Sequence, residues 1–486
     1  MIILLIMIAF VVVNLAIGFY SARKIKTSDA FMAGERRMGP TVLMFATFAT
    51  SIGAGDVLAY PSLGYLQGWS SLHFILAMPV VVIIMAFTVG RRYYEMKATT
   101  LSDVLCRVYG ESKFMRIVPS IFLSLGLLSW LAGQYSAFGK TLNLLTGANA
   151  LLGMFIGAAI FISYTVAGGL VSVMLVDVFQ GIFLAVGIII VFIVTTAHGG
   201  GLIEVQAGLP TEYHSFLGTA GAITILMFWM NKGLSRFTNF AYWQRLGSAK
   251  SAKAGIWGVS IGMVVTGLLG ILLALTGMAA FKINPGGMED PEMVFPEAAV
   301  NYFPSWVGGI LLGALWAAIL SSAAGFLNSS ATLLGHDIWF KVVKKSKQDS
   351  PALLKDLRVI TAVIGAATLI IAWLVPSVLS LLVWAGVWLT PPLMPVLCAT
   401  IFDRKGTRVP VRWLMVSMVC SAVVGFFFEI IPALKEPLSG GTIPAFATSI
   451  AIILLGVIFG KKNPVAASIV APETQSEPEP TDQPTQ

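Results

Sequence analysis

Apolar runs of about 20 residues, separated by short polar segments, occupy almost the whole chain between residues 2 and 460. Such a run has the length that an α-helix needs to cross the hydrocarbon core of a bilayer, and it is too long for a strand of a membrane barrel. Because 57% of the residues are hydrophobic and only 11% are charged, the composition is far from that of a soluble domain. The sequence therefore predicts an all-α polytopic membrane protein.

About thirteen transmembrane spans are predicted, and the basic residues support both their number and their orientation. If the N-terminus lies outside, 26 of the 31 Lys and Arg residues fall in or beside loops on the inner side, as the positive-inside rule requires. We therefore expect a multi-pass protein of the plasma (inner) membrane with a cytoplasmic C-terminus. A basic charge divided among alternate loops does not favour a nucleic-acid partner. The spans are residues 2–20, 41–66, 71–89, 117–139, 150–167, 172–196, 221–244, 254–281, 306–335, 358–378, 379–402, 412–431 and 442–460.

Residues 1–462 are expected to form a single transmembrane domain, because no polar stretch among the spans is long enough for another one. The tail, residues 463–486, is rich in Pro, Glu, Gln and Thr from Glu473 onward, and this composition predicts disorder in the cytoplasm. Nucleotide-binding loops, paired metal motifs and Ser-His-Asp sets are missing from the sequence. We therefore expect neither an enzyme nor an ATP-driven pump, no cofactor, and no obligatory protein partner beyond the lipid bilayer.

The second span carries small and polar residues at its centre, where Gly53, Gly55 and Asp56 follow two threonines and a serine. Glycine costs a helix about 1 kcal/mol relative to alanine, and a charge at this depth costs several more. The span is therefore predicted to unwind near Gly53, which would free the carbonyls of Ala49 and Ile52 to bind a cation. A break that serves only close helix packing is the alternative.

The ninth span contains two adjacent hydroxyls, Ser321 and Ser322, in an apolar context. On a helix, Ala318, Ser321 and Ser322 are spaced i, i+3 and i+4, so one carbonyl and two hydroxyl oxygens converge on one face. Neutral oxygens of this kind suit a small dehydrated cation. Alternatively, the hydroxyls bond back to the preceding turn or allow neighbouring helices to pack closely.

Other polar side chains within the spans define a tentative solute pocket. Asp177 is placed either to assist release of a cation to the inside or to pair with a nearby basic residue. Lys232 is placed to pair with Asp56, to bind a solute carboxylate or to extend towards the inner surface. Asp56 with Lys232 suits a zwitterion, whereas pairing between them suits a neutral solute, and a protonated or averted Asp56 suits a monocarboxylate. The candidate pocket residues are Thr50, Ser51, Gly53, Gly55, Asp56, Ser71, His73, Gln134, Trp229, Asn231, Lys232 and Trp384 or Trp388.

The order and spacing of several motifs resemble the sodium/solute symporter family, which holds the proline, pantothenate, sugar, sialic acid and monocarboxylate symporters. The likeness extends over about residues 2–462. Its motifs are Ser28 to Arg36, Thr100 to Asp103 with Tyr109 and Gly110, Tyr164 to Leu170 with Asp177, Gln180 and Gly181, Trp243 to Arg245 with Ala249 to Ser251, Ala318 to Asn328 with His336 to Trp339, and Trp384, Ala385, Pro391 and Pro395.

The resemblance implies a leucine-transporter-like fold, in which two inverted five-helix repeats form the core. Here the repeats would be residues 41–196 and 221–402, with one helix before them and two after. Relatives that use a second sodium ion carry hydroxyls at positions that are Ala324 and Gly325 in this chain, so one coupled sodium ion is expected, and sodium is the only metal. The implied sodium ligands are the carbonyls of Ala49, Ile52 and Ala318 and the hydroxyls of Ser321 and Ser322.

The resemblance and the polar groups together predict a sodium-coupled symporter that imports a small organic solute by alternating access. A carboxylate-bearing solute or an amino acid is favoured. A proton-coupled transporter is the alternative, because Asp56 and Asp177 are acids within the spans. An ion or water channel fits less well, since a channel does not need a broken helix that faces a serine pair.

Overall fold

The computed structural model describes residues 2–23, 25–218, 221–345, 351–375, 378–403, 408–434 and 440–460. Within these ranges the regular elements are helices, and short helices such as Leu101–Tyr109 join the long ones. We number the main helices in chain order: α1 Ile2–Ala22, α2 Pro40–Ser51, α3 Ala54–Gln67, α4 Leu72–Met85, α5 Lys113–Thr146, α6 Ala150–His198, α7 Gly221–Phe228, α8 Phe240–Ser248, α9 Ala252–Ile283, α10 Ser305–Thr332, α11 Pro351–Leu374, α12 Val378–Phe402, α13 Val411–Ile430 and α14 Thr442–Phe459.

The helices follow the predicted spans when α2 with α3 and α7 with α8 each count as one span and α6 counts as two. Nine helical stretches in the described ranges are individually long and apolar enough to cross a bilayer. Two of the stretches each carry two predicted spans. The interrupted span 221–244 is too short on either side of its break, and the span 379–402 contributes only the shorter apolar helix Thr390–Ile401. The predicted tail, residues 463–486, lies outside the described residues.

A single residue replaces the loop that was expected at residues 168–171. Within α6, Gly169 has φ 51° and ψ −149°, a conformation that favours glycine. A β-carbon at this position would lie 2.5 Å from Cγ of Phe31. The chain therefore turns sharply at Gly169, which divides α6 into two helical parts, and the aromatic ring of Phe31 packs into the angle.

Two interruptions divide helices near the centre of the molecule. Between α2 and α3, Ile52 has φ −95° and ψ 88° and leaves the helical conformation. Between α7 and α8, the π-helical turn Trp229–Leu234 and the short helix Ser235–Thr238 are followed by the extended residue Asn239. The sequence predicts the first interruption correctly, whereas residues 221–244 were expected to form one continuous span.

Helix α10 occupies the interior of the bundle. Every residue from Leu311 to Thr332 is buried, and the helix packs against α1, α2, α5 and α6. At the edge of the molecule, α13 and α14 pack against each other and against α12. The serine pair of α10 therefore faces protein, next to the point where α2 ends.

Candidate functional site

The hydroxyls of the serine pair contact the last turn of α2. The Oγ atom of Ser321 donates to the carbonyl of Ala49 at 2.7 Å and lies 3.2 Å from the carbonyl of Ala318. The Oγ atom of Ser322 donates to the carbonyl of Thr50 at 2.9 Å. All these residues are buried. Uncharged oxygens from two separate helices thus meet at one place, where a bound cation would fasten α2 to α10.

The break between α2 and α3 brings the backbone close to the same serines. The non-helical angles of Ile52 turn its carbonyl out of the helical direction. The next residue, Gly53, is extended, and a β-carbon there would lie 2.9 Å from Oγ of Ser322 and 3.2 Å from Nε2 of Gln134. Glycine is therefore needed here for close approach to α5 and α10, although its φ of −86° is open to any residue.

Two side chains cap the first turn of α3. The backbone N–H of Gly53 donates to Oδ2 of Asp56 at 3.1 Å. The backbone N–H of Ala54 donates to Oε1 of Gln134, also at 3.1 Å. Gly55 is buried within the same turn. These bonds satisfy amide groups that the break leaves without helical partners.

The other carboxylate oxygen of Asp56 pairs with Lys232. The ammonium group is an ion-pair and hydrogen-bond partner of Oδ1, and it lies 5.2 Å from the ring centre of Tyr60 and 5.0 Å from that of Phe74. Lys232 is only 4% exposed. Of the three arrangements considered for this lysine, the structure adopts the pair with Asp56 and not an extension towards the inner surface.

The remaining candidate pocket residues divide into several local groups. The indole N–H of Trp229 donates to Nδ1 of His73 at 3.3 Å, and Ser71 donates to the carbonyl of Gly68 in its own turn at 2.6 Å. Asn231 accepts a hydrogen bond of 2.8 Å from Thr442 of α14. His73 and Trp229 therefore meet, whereas Ser71 and Asn231 are engaged elsewhere.

Ser51 and the two tryptophans complete the candidate set. The Oγ atom of Ser51 donates to the carbonyl of Thr47 at 2.5 Å and lies 3.1 Å from the hydroxyl of Tyr242. Trp384 and Trp388 belong to α12, but their side chains lie outside the described residues.

Asp177 of α6 contacts the last turn of α2. The hydroxyl of Thr50 donates to Oδ2 of Asp177 at 3.2 Å. Nη2 of Arg245 lies 3.4 Å from the same oxygen and also donates to the hydroxyl of Thr50. A basic partner for Asp177 was one of the two roles inferred from the sequence, and the structure identifies that partner as Arg245.

The guanidinium of Arg245 lies beside Gly325 of α10. A β-carbon on Gly325 would lie 2.9 Å from Cγ2 of Thr50 and 3.5 Å from Nη2 of Arg245. Among the described residues, Oδ1 of Asp177 is buried without a hydrogen-bond partner. The space beside Asp177 is thus filled by a cationic side chain of the protein itself.

Arg245 and Arg236 received no site role from the sequence, although a signal for Arg245 was present. A buried acid such as Asp177 needs a cationic partner, but Arg245 was assigned to an inner loop at the end of the seventh span. In the structure Arg245 is fully buried within α8. The short helices after α7 therefore carry basic side chains into the interior that the span boundaries had placed in a loop.

A further polar cluster lies at the end of α10, where Asp103, His336 and Asp337 come within metal-ligand distance of one another. Arg116 pairs with Asp103 at 2.9 Å and with Asp337 at 3.5 Å. Asp337 also accepts a hydrogen bond of 2.7 Å from Thr100. Since a guanidinium already compensates these carboxylates, we interpret the cluster as a structural link between α5, α10 and the helix Leu101–Tyr109.

Comparison with known proteins gives one consistent answer. The sodium:solute symporter family model matches residues 31–410. The sodium/proline symporter 2 of Staphylococcus saprophyticus is 28% identical over 401 residues, which cover 78% of this chain and 77% of that protein. The sodium/pantothenate symporter of Escherichia coli is 27% identical over 484 residues, which cover 95% of this chain and 97% of that protein.

Solved structures show the same overall architecture. A sodium-coupled sialic acid symporter, in a substrate-bound outward-open state, superposes with a TM-score of 0.75 at 20% identity and covers 95% of this chain and 99% of its own. The transporter Mhp1, of the nucleobase-cation-symport-1 family, gives a TM-score of 0.58 at 18% identity, with 88% and 93% covered. The expected leucine-transporter-like fold is therefore confirmed.

Proposed function

The chain belongs to the sodium:solute symporter family, and on that premise we propose that it imports a small, carboxylate-bearing organic solute together with one sodium ion. The observation that carries this proposal is the contact between the serine pair of α10 and the end of α2. Ser321 already bonds to the carbonyl of Ala49 and lies 3.2 Å from that of Ala318, so three of the five proposed ligand groups lie close together before any ion is considered.

The proposed sodium ligands are the carbonyls of Ala49, Ile52 and Ala318 and the hydroxyls of Ser321 and Ser322. These groups are neutral, so a bound sodium ion adds its full charge to the site and is not neutralised by a permanent partner. This favours reversible binding. A proton cannot exploit such a cluster, because none of its oxygens is a titratable acid.

Sodium binding at this place would stabilise the broken helix against α10. Gly53 lies beside Ser322, and its neighbours Ala54 and Asp56 form the cap of α3 with Gln134. Sodium would thereby order the backbone that forms the floor of the solute pocket. We propose that the occupied pocket then closes towards the outside and opens to the inside, where sodium leaves past Asp177 and the solute follows.

A stoichiometry of one sodium ion is supported by the surroundings of Asp177. Ala324 and Gly325 supply no hydroxyl there, and the guanidinium of Arg245 lies 3.4 Å from the carboxylate. A second sodium ion would have to displace this guanidinium from a buried ion pair.

The topology proposed for this cycle places the N-terminus outside and the C-terminus in the cytoplasm, as the distribution of basic residues predicts. In this orientation α5 begins at the inner surface and Asp177 lies in the inner part of α6. The proposed inverted repeats, residues 41–196 and 221–402, place the broken helix at the start of the first repeat and the π-helical turn at the start of the second.

The proposed solute class rests on the basic side chains around the break. Proline and pantothenate, which give two relatives their names, both carry a carboxylate. In this chain Lys232 is paired with Asp56, and Arg236, one helical turn further on, is a buried basic residue without an acidic partner among the described residues. An acidic group on the solute has a suitable electrostatic partner in Arg236, whereas an uncharged polyol does not use it.

Uptake into proteoliposomes under separately imposed sodium and proton gradients tests the proposal. The panel of labelled solutes should contain L-proline, pantothenate and L-lactate, and empty liposomes provide the control. We expect at least one carboxylate to accumulate with an inward sodium gradient and not with an inward proton gradient in potassium buffer. Accumulation driven equally well by protons without sodium would contradict sodium coupling and favour the proton-coupled alternative.

A further inference from the structure

Arg236 is a buried cation without an acidic partner in the described part of the chain. It is 6% exposed, and its Nε atom is buried without a hydrogen-bond partner. The guanidinium lies 4.0 Å from the ring centre of Trp130, and the described residues provide no ion pair for it. A charged side chain that is buried within a membrane-spanning segment usually marks a functional site.

The helix that packs against this arginine cannot supply the missing carboxylate. The segment Ser235–Thr238 packs against α12, and the sequence of α12 contains no Asp or Glu between Val378 and Phe402. Asp56, the acid that pairs with Lys232 one turn before Arg236, has both carboxylate oxygens taken, by Lys232 and by the backbone of Gly53. The charge on Arg236 is therefore left for a group that is not part of the protein.

Trp130 connects Arg236 to the unwound backbone. The carbonyl of Trp130 accepts a hydrogen bond of 3.5 Å from Gln134, one turn further along α5. Gln134 in turn accepts from the backbone of Ala54 at the break. The guanidinium of Arg236 thus packs on the ring of Trp130 in α5, the same helix whose Gln134, one turn further along, caps the break.

The net charge of the buried side chains around the break distinguishes between the possible classes of solute. Asp56 with Lys232 is neutral, and Asp177 with Arg245 is also neutral. Arg236 leaves one positive charge, and a sodium ion on neutral ligands adds another. A zwitterion would bring an ammonium group into this site, and Asp56 is already paired. An organic anion that lacks an ammonium group would reduce the excess charge.

We propose that Arg236 binds the carboxylate of the transported solute, and that this solute is a monocarboxylate anion without an amino group. This inference rests on the proposed function and specifies its substrate class. The planar guanidinium donates to both carboxylate oxygens at once while the ring of Trp130 supports its other face. Arg236 then determines specificity, because Lys232 remains bound to Asp56.

An electrical consequence follows from this assignment. One sodium ion and one monovalent anion carry no net charge across the membrane in a transport cycle. Accumulation should then follow the sodium gradient alone, at about tenfold for a tenfold gradient. By contrast, a single net charge would change accumulation about 50-fold for each 100 mV of membrane potential.

The first experiment measures binding by the wild-type protein with matched pairs of probes. Purified full-length protein in sodium buffer is tested for thermal stabilisation by pantothenate and pantothenol, by L-lactate and lactamide, and by L-proline. We expect stabilisation by at least one carboxylate and at least tenfold weaker binding of its uncharged counterpart. Equal binding of the counterpart, strongest binding of L-proline, or stabilisation by no carboxylate would overturn the assignment.

The second experiment tests the arginine itself with the preferred carboxylate. Arg236→Gln should raise the apparent KM at least 100-fold, and Arg236→Lys should raise it about tenfold, because lysine keeps the charge but loses the planar, stacked geometry. Arg91→Gln is the control, since Arg91 is exposed and pairs only with Glu95 one turn away. An unchanged KM in Arg236→Gln would overturn the proposal.

The third experiment uses only wild-type protein, so it does not depend on the folding of a variant. Potassium-loaded proteoliposomes with valinomycin set the membrane potential to zero or to about −100 mV under the same sodium gradient. We expect accumulation to change less than twofold between the two potentials. A change of about 50-fold, with sodium dependence retained, would overturn the electroneutral anion proposal and leave the sodium-coupled function intact. Loss of sodium dependence would refute the proposed function itself.

Discussion

The last turn of α2 is contacted by two oxygen-rich regions of very different character. On one side, Ser321 and Ser322 present hydroxyls to backbone carbonyls, and every group is neutral. On the other side, Thr50 and Asp177 present a hydroxyl and a carboxylate, and Arg245 lies against both. The first region contains only neutral oxygens, which we propose bind an exchangeable sodium ion. The second region already contains the guanidinium of Arg245 as a fixed cation.

The comparison explains how two similar regions can have different roles in coupling. An exchangeable ion must be able to leave, which neutral ligands allow once the backbone around Gly53 moves. A guanidinium cannot leave, so its pairing with Asp177 contributes to structure throughout the cycle. The guanidinium of Arg245 supplies the positive charge that stabilises the buried carboxylate of Asp177. No exchangeable sodium ion is then needed at this place.

The largest expected effect comes from removing the fixed cation. Arg245→Gln leaves the buried carboxylate of Asp177 without its partner, and breaking a buried ion pair in this way costs about 3–5 kcal/mol. Thermal unfolding in sodium-free detergent should therefore show a strongly destabilised protein. Sodium should restore part of the loss, because the vacated space then resembles a second cation site, and the Hill coefficient for sodium should rise above one.

Two matched variants separate this explanation from a general packing defect. The double variant Asp177→Asn with Arg245→Gln removes both charges and should be more stable than the single variant. Arg91→Gln removes an exposed arginine and should have an effect of less than about 0.5 kcal/mol. Wild-type stability of Arg245→Gln without sodium would show that the guanidinium does not compensate Asp177.

A smaller effect, on sodium affinity, is expected when a methyl group is added at Gly53, next to the serine pair. In Gly53→Ala the new methyl group would lie 2.9 Å from Oγ of Ser322 and 3.2 Å from Nε2 of Gln134. The sodium concentration for half-maximal uptake should rise about tenfold, which corresponds to about 1.4 kcal/mol. Gly39→Ala, directly before α2, is the control, because a β-carbon there would meet no neighbouring atom within 4 Å. Equal sodium affinity in both variants would show that the break at Gly53 is not part of the sodium site.

The smallest effect is expected from a substitution in α10 that adds a hydroxyl to the helix. Ala324→Ser adds a hydroxyl at a position that carries one in relatives with a second sodium ion. Ala324 is fully buried and packs with Tyr164 and Val173. Because Arg245 stays in place, the Hill coefficient for sodium uptake should remain close to one. A Hill coefficient near two would show that a second sodium ion displaces the guanidinium of Arg245 once an additional oxygen ligand is available.

The sequence predicted the neutral region better than the charged one, for physical reasons. Ala318, Ser321 and Ser322 lie within one helical turn, so local periodicity alone brings their oxygens to one face. Gly53 marks the break because glycine is unfavourable in a helix. The sequence did not predict that the hydroxyl of Ser322 would bond to Thr50, because which carbonyl it meets depends on how α2 and α10 pack.

The charged region depends on contacts between residues that are distant in the chain. Asp177 and Arg245 are 68 positions apart, and their pairing follows from the interruption between α7 and α8. Hydropathy treats residues 221–244 as one continuous span, which places Arg245 at its inner end. The π-helical turn and the extended residue Asn239 change that course, and neither has a clear local signature. Arg236 reaches its position beside Trp130 through the same interruption.

The most direct measurement is the number of radiolabelled sodium ions that bind to the purified protein at saturation. We predict one ion per chain in the wild type and loss of high-affinity binding in Ser321→Ala, because this hydroxyl contacts both Ala49 and Ala318. Ser417→Ala, which removes a buried hydroxyl between α13 and α14, should still bind one ion. Two ions per chain in the wild type, or undiminished binding in Ser321→Ala, would contradict a single sodium site formed by the serine pair.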